Sequence, residues 1–217
     1  MIRVSPFLLA VLAVVAVAAG AAPLPPPVEL PKPKLDNATT LVQALKARKT
    51  AREFSPAALP AQTLSDLLWA AFGVNREDGR RTAPSAHNWQ EVDVYVVLPQ
   101  GAYQFDGKAH ALRGVVGGDL RELTGKQPFV KDAPATLVYV ADLARMKDAS
   151  PEDRELYSAT DAGFISQNVY LYSAAAGLAT GVRGMIDRPA LAQALGLRAE
   201  QRIILAQTVG YPAHAIS

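Results

Sequence analysis

The chain has no cysteine. That absence excludes a thiol nucleophile, a disulfide framework, a thiolate metal site and a cysteine-held iron–sulfur cluster together. Histidine is scarce: His87, His110 and His214 stand far apart and show no ligand spacing, so no metal centre is expected. An excess of one charge is missing too. With 22 basic and 20 acidic residues the formal net charge is +2, and nucleic acid is not an expected partner. The apolar run from Phe7 to Ala18 has 12 residues, short of the roughly 20 that a membrane-spanning helix needs.

What is present begins with that run. Arg3 precedes it and Ala19-Gly20-Ala21 follows as a small-x-small cleavage site, the pattern of an export signal over residues 1–21. The expected product is periplasmic or secreted, with an uncleaved membrane anchor as the second reading. Pro23, Pro25, Pro26, Pro27, Pro31 and Pro33 then crowd one short stretch. Such a segment favours extended polyproline II over packing, so residues 22–36 read as a tether and 37–217 as one domain. Half of the 217 residues are apolar, enough for one sizeable core.

Within the domain the punctuation is regular. A short helix is expected from Thr39 to about Arg48, with Leu41, Val42 and Leu45 on one side. A second runs from Thr63 as N-cap to Phe72, with Leu64, Leu67, Leu68, Ala71 and Phe72 forming a core-facing stripe and Gly73 past its end. Strands are expected at 92–98, 102–106, 110–115, 136–141 and 202–209, with a glycine-punctuated strand and turn over 177–184. Residues 146–155 read as a charged loop. Asp161 opens a long helix to about Ala176, and Asp187 and Pro189 start the last one.

Two stretches carry chemistry. In Ala47-Arg48-Lys49-Thr50-Ala51-Arg52-Glu53-Phe54 three cations and a hydroxyl fall within five residues. In an extended segment residues 48, 50 and 52 point the same way, which suits a phosphate or another anion. A solvated basic face after a helix is the bland alternative. The second stretch, Thr82-Ala83-Pro84-Ser85-Ala86-His87-Asn88-Trp89-Gln90, is dense in small hydrogen-bonding residues and feeds directly into a strand, where ligands tend to be held.

Taken in order with Gly101-Ala102-Tyr103-Gln104-Phe105-Asp106, Asp161-Ala162-Gly163, Gln167-Asn168, Gly177-Leu178-Ala179-Thr180 and Val209-Gly210-Tyr211-Pro212, these stretches resemble the nitroreductase superfamily of FMN flavoproteins. Within it the chain is most similar to the branch that includes the azoline dehydrogenases. The resemblance covers about residues 39–213. It implies an α+β fold with a central, mostly antiparallel mixed sheet flanked by helices, in a homodimer with FMN at the subunit interface. Arg48 and Thr50 match positions that hold the phosphate and ribityl chain, Lys49 between them counts among the cofactor-binding residues, and Arg52 matches a cation beside the pyrimidine edge of the flavin. Pro84, Ser85, Ala86 and Asn88 match a loop that reaches the cofactor from the partner subunit. Arg183 and Gly184 match the turn near flavin N5.

The implied activity is an FMN-dependent oxidoreductase passing hydride or electrons through N5 to or from a small organic substrate. An exported flavin-binding or interaction module of the same fold, without turnover, is the alternative. The flavin carries the chemistry, so no side-chain acid or base is demanded and no catalytic residue is assigned. Similar proteins often carry a Lys or Arg pair after the last strand, where this sequence reads Ala213-His214-Ala215-Ile216-Ser217; one phosphate contact fewer is expected. Lys147 stands ten residues before Tyr157 instead of forming the adjacent Lys-Tyr pair of azoline dehydrogenases, so peptide azoline oxidation is not the expected reaction. Export would separate the protein from cytoplasmic NAD(P)H, so a periplasmic or membrane electron donor is the expected partner.

Overall fold

The computed structural model describes residues 22–34 and 38–214. The export segment and the expected domain start at Asn37 lie outside the described residues. The centre is a seven-stranded sheet of order β1-β4-β3-β2-β5-β7-β6, built from Val28–Glu29, Val92–Leu98, Gly101–Asp106, Ala111–Gly117, Ala135–Asp142, Ala179–Arg183 and Gln201–Gly210 as β1 to β7. Every pairing among the described residues is antiparallel.

Alternation along the central strands explains why they read as nearly continuous apolar runs. Val94 and Val96 of β2, with Leu137 and Tyr139 of β5, enter one core cluster. Their neighbours Tyr95, Val97, Val138 and Val140 enter a second on the opposite face. Successive side chains of a strand point to opposite sides, so both faces of this sheet are covered. The first cluster packs under α2 (Ala61–Phe72) and α3 (Pro151–Ala175), which contribute Leu67, Leu68, Ile165 and Val169. The second is closed by α4 (Arg188–Ala194) through Leu191 and by Leu195.

Three elements depart from the sequence reading. Helix α3 begins ten residues before Asp161: Ser150 caps it by accepting from the Asp153 N–H, Pro151 opens it, and Glu152 and Asp153 fill its first turn. This is a full helix-start signature that the surrounding charge concealed. Helix α2 starts behind Pro60 instead of at Thr63. Helix α1 (Leu41–Ala47) starts behind Thr40 instead of at Thr39, through a capping box between Thr40 and Gln43, and buries only Ala44. Leu41, Val42 and Leu45 remain 63%, 59% and 51% exposed.

The proline-rich stretch read as a tether lies along the domain. Val28–Glu29 pairs with β4 at the sheet edge, a position where prolines cost no ladder bond. Leu30 is buried in the main cluster, Ser65 Oγ bonds the Pro31 carbonyl at 2.6 Å, and the Lys34 N–H bonds Asp66 at 2.7 Å. Room comes from two glycines. A Cβ on Gly114 would sit 1.9 Å from the Pro25 carbonyl oxygen, and one on Gly117 2.1 Å from that of Pro23.

Candidate active site

The basic stretch leaves α1 at Arg48 and runs beside β6. The Ala51 N–H bonds the Thr180 carbonyl at 2.8 Å, and the Ser55 N–H bonds that of Tyr211 at 2.9 Å. Gly181 permits this approach, because a Cβ there would lie 2.6 Å from the Ala51 carbonyl oxygen. Phe54 anchors the far end in a small cluster with Ala133, Ala179 and Phe129. At the near end the chain converges on Tyr170 of α3. Thr50 Oγ1 and the Tyr170 hydroxyl are 2.9 Å apart, the Val182 N–H donates to the same hydroxyl at 3.1 Å, and the Arg48 guanidinium lies 5.3 Å from the ring centre.

Between this stretch, the C-terminal half of α3 and β6 is a cavity of about 680 Å³. Among the described residues Lys46, Lys49 and Arg52 line it against a single carboxylate, Glu53, and His214 lines it too. Its volume lies in the roughly 300–1,000 Å³ range of small-molecule and cofactor sites. On its wall Ser173 Oγ is buried without a hydrogen-bond partner, a costly state that a ligand acceptor or donor would relieve. The expected alternation is partly realised: Thr50 and Arg52 face the cavity, Lys49 joins them, and Arg48 stands beside it over Tyr170.

The second stretch is elsewhere. Pro84, Ser85, Ala86 and Asn88 do not line this cavity. The Ala86 N–H bonds Asp161 Oδ2 at 2.9 Å, and Asp161 precedes Ser173 by twelve residues on α3, about 18 Å along the axis. The loop holds His87, Asn88 and Gln90 at φ of 50°, 56° and 46°, left-handed values that need outside support in non-glycine residues. Support comes from Arg81 Nε on Gln90 Oε1 at 2.7 Å, from Gln90 Nε2 on Asn88 Oδ1 at 3.0 Å, and from His87 stacked 4.5 Å from Trp89. Glu91, fully buried, accepts the Ser85 hydroxyl at 3.2 Å. Burial first, and the neighbouring Asp161 second, push its carboxyl up to about 7.

Arg183 turns its side chain inward. Its guanidinium donates to the Thr124 carbonyl at 3.0 Å, to the Thr124 hydroxyl at 2.8 Å and to the Thr208 hydroxyl, and burial lowers its pKa to about 10. That side chain is committed to the fold, and only the backbone of Arg183 and Gly184 is left for a ligand. Close by, the Lys126 N–H bonds the Met185 carbonyl at 3.1 Å, and Gln127 Oε1 is buried without a partner.

A profile of the Nitroreductase family matches residues 45–211. The chain belongs to the nitroreductase family. A crystal structure of a protein assigned as a nitroreductase from Ralstonia eutropha JMP134 is 43% identical, with a TM-score of 0.83 over 90% of this chain and 96% of that one. A protein assigned as a nitroreductase from Methanocaldococcus jannaschii is 30% identical over 150 residues, 64% of this chain and 76% of the relative. The NADPH:FMN oxidoreductase of Vibrio harveyi, solved with NAD+, shares the fold at 19% identity and a TM-score of 0.60, over 81% of this chain and 70% of that one.

Family membership turns attention to residues that sequence reading passed over. Tyr170 and Ser173 lie in the long helix, where their chemistry looks like packing. Gln127 sits in a turn with no motif around it. What singles them out is three-dimensional: a shared hydroxyl for Tyr170 and unpaired buried oxygens for the other two. Among the described residues no group of three His, Asp or Glu side chains could hold a metal.

Proposed function

We propose that this nitroreductase-family protein is an FMN-dependent oxidoreductase acting on a small organic substrate, as a homodimer with one flavin at each of two shared sites. The observation that carries the reading is the cavity at Arg52: cations from the sequence's own anion-seeking stretch line it, opposite a buried hydroxyl that lacks a partner. Those residues fit a phosphorylated cofactor. Lys49, Thr50 and Ser173 would hold the phosphate and ribityl end, with Arg48 braced on Tyr170 behind them. Arg52 would stand as a fixed cation where charge accumulates on reduction, and an arginine keeps that charge at any working pH. Gln127 offers an acceptor oxygen next to the β6 turn. When bound, FMN supplies hydride chemistry at N5 that no side chain here provides.

The loop at Pro84 to Asn88 lies apart from this cavity within one chain, which supports its delivery by a second copy. Placement near the azoline dehydrogenase branch is part of the proposal; azoline oxidation is not, because the Lys-Tyr pair is lacking. Export also remains a proposal, resting on the segment before Ala22, with a membrane or periplasmic donor supplying electrons. N-terminal sequencing of protein from native cells tests it, and finding Met1 or Ile2 would overturn it.

The deciding experiment for the cofactor is the visible absorption spectrum of the purified protein, before and after FMN is added. A yellow protein that releases FMN on denaturation is expected. A colourless protein that binds no FMN at tens of micromolar overturns the reading.

A further inference from the structure

The Tyr170 hydroxyl is held from two sides. The Val182 N–H donates to it at 3.1 Å, and Thr50 Oγ1 lies 2.9 Å away. A phenol has a single proton to give, and Tyr170 is only 7% exposed, so that proton needs an acceptor inside the protein. The Val182 amide can only donate. Among the described residues Thr50 Oγ1 is the one acceptor that bonds the phenol. A phenol is also the better donor and the poorer acceptor of the two hydroxyls. The direction follows: Val182 N–H to Tyr170, Tyr170 to Thr50, and the Thr50 proton out into the cavity that Thr50 lines.

Ser173 adds a second donor. It stands three residues beyond Tyr170 on α3, on the same face. Serine and threonine in a helix commonly spend their proton on a carbonyl of the preceding turn. Thr160 and Ser158 of α3 do so, on the Leu156 and Glu155 carbonyls at 2.7 and 3.4 Å. Ser173 does not: its hydroxyl is buried on the cavity wall without a partner. Two hydroxyl protons therefore face the space that Lys46, Lys49 and Arg52 line. A phosphate ester, which only accepts, satisfies both. A neutral hydroxyl in its place accepts more weakly and brings a proton of its own.

We propose that Tyr170 is a positioning residue that fixes the polarity of the Thr50 hydroxyl, and that this oriented donor, with Ser173, makes the cavity select FMN over riboflavin, the same flavin without its phosphate. The inference rests on the FMN reading above. Tyr170 acts through Thr50: without the phenol proton, Thr50 is free to turn its own proton away from the ligand.

The first test needs no flavin. Infrared spectroscopy of the full chain with ring-labelled tyrosine isolates the C–O stretch of this phenol as the difference between a protein and its Tyr170→Phe variant. Donating a proton strengthens the phenol C–O bond and raises that stretch, while accepting a bond lowers it. In the Thr50→Val background the acceptor is gone, so the stretch should fall. A stretch that is unmoved or rises overturns the polarity and the proposal with it.

The second test reads the Kd of FMN and of riboflavin in the wild type, Tyr170→Phe, Thr50→Val and the double variant. Tyr170→Phe keeps an aromatic ring for Arg48. It should weaken FMN about two- to tenfold, the span of one ordinary hydrogen bond, and riboflavin by less than about twofold. The double variant should bind FMN no more weakly than Thr50→Val, because residues that act through one another are not additive. Equal losses for both flavins are the mark of a merely structural role, and additive losses of an independent one; either overturns the proposal. If neither flavin binds, inorganic phosphate at matched ionic strength decides. A Tm rise larger for the wild type than for Tyr170→Phe removes the FMN reading and keeps the oriented donor, while equal or absent rises overturn both.

Discussion

At the scale of single residues, the two arginines of the basic stretch occupy different positions and should fail differently. Arg48 lies over the Tyr170 ring next to the cavity, while Arg52 lines it. A phosphate carries the same charge whether the flavin is oxidised or reduced. Arg48 stands behind the residues that would hold it, so Arg48→Ala should weaken both states alike, by less than the roughly 1.5–3 kcal/mol of a direct charge-assisted bond. Arg52, assigned to the edge that gains charge on reduction, should act on the potential. For a two-electron couple about 30 mV corresponds to roughly 1.4 kcal/mol, so Arg52→Ala should lower the potential by tens of millivolts. A redox titration and an FMN binding curve on both variants check the pair. An unchanged potential in Arg52→Ala, or a larger shift in Arg48→Ala, would mean the flavin lies differently along the stretch. Arg183 belongs to the fold instead. Among the described residues its buried cation has threonine partners and no carboxylate, so Thr208→Val should cost about 1.5–3 kcal/mol, the value of a hydrogen bond to a charged group, read by denaturant unfolding.

At the scale of elements, the strands were legible because a sheet covered on both faces leaves long apolar runs that Gly and Pro punctuate. All five predicted from periodicity are present, within two residues at each end. The long helix was half legible: Ser150-Pro151-Glu152-Asp153 spells its start, but the following turns are charged and partly solvated, and a reading keyed to apolar periodicity takes them for a loop. The edge strand was hidden by composition. Proline density says only that a segment lacks N–H groups, not whether a sheet edge will take its carbonyls and side chains. The basic stretch that lines the cavity could be read from the sequence; Ser173, Gln127 and Glu91 could not, since nothing local shows which polar atom will be buried without a partner. The strap also makes a prediction. Gly114→Val places a side chain where the Pro25 carbonyl lies, so residues 22–34 should detach and become protease-sensitive while the sheet survives. If limited proteolysis of Gly114→Val matches the wild type, the contact does not hold the strap.

At the scale of the whole molecule, the single chain leaves two features unfinished. One is the separation of the Pro84–Asn88 loop from the cation-lined cavity. The other is a set of large apolar side chains in water: Leu41, Val42 and Leu45 on α1, Leu156 and Phe164 on α3, and Met185 beyond β6. Single exposed leucines are ordinary, but three on a seven-residue helix that buries only Ala44 invite a cover. The proposed homodimer would complete both features at once. Burying side chains of this kind contributes about 1.5–3 kcal/mol each, so three per subunit are enough to matter in association. Val42→Glu with Leu45→Glu tests this: glutamate suits an exposed helix, so the isolated fold should keep its stability, while a covered interface would trap unpaired charge. Light scattering should find a dimer for the wild type and a monomer for the double variant, and FMN should be lost with the dimer. A double variant that stays dimeric would place the interface away from α1. A wild-type monomer that holds FMN would require the loop to reach the cavity within its own chain.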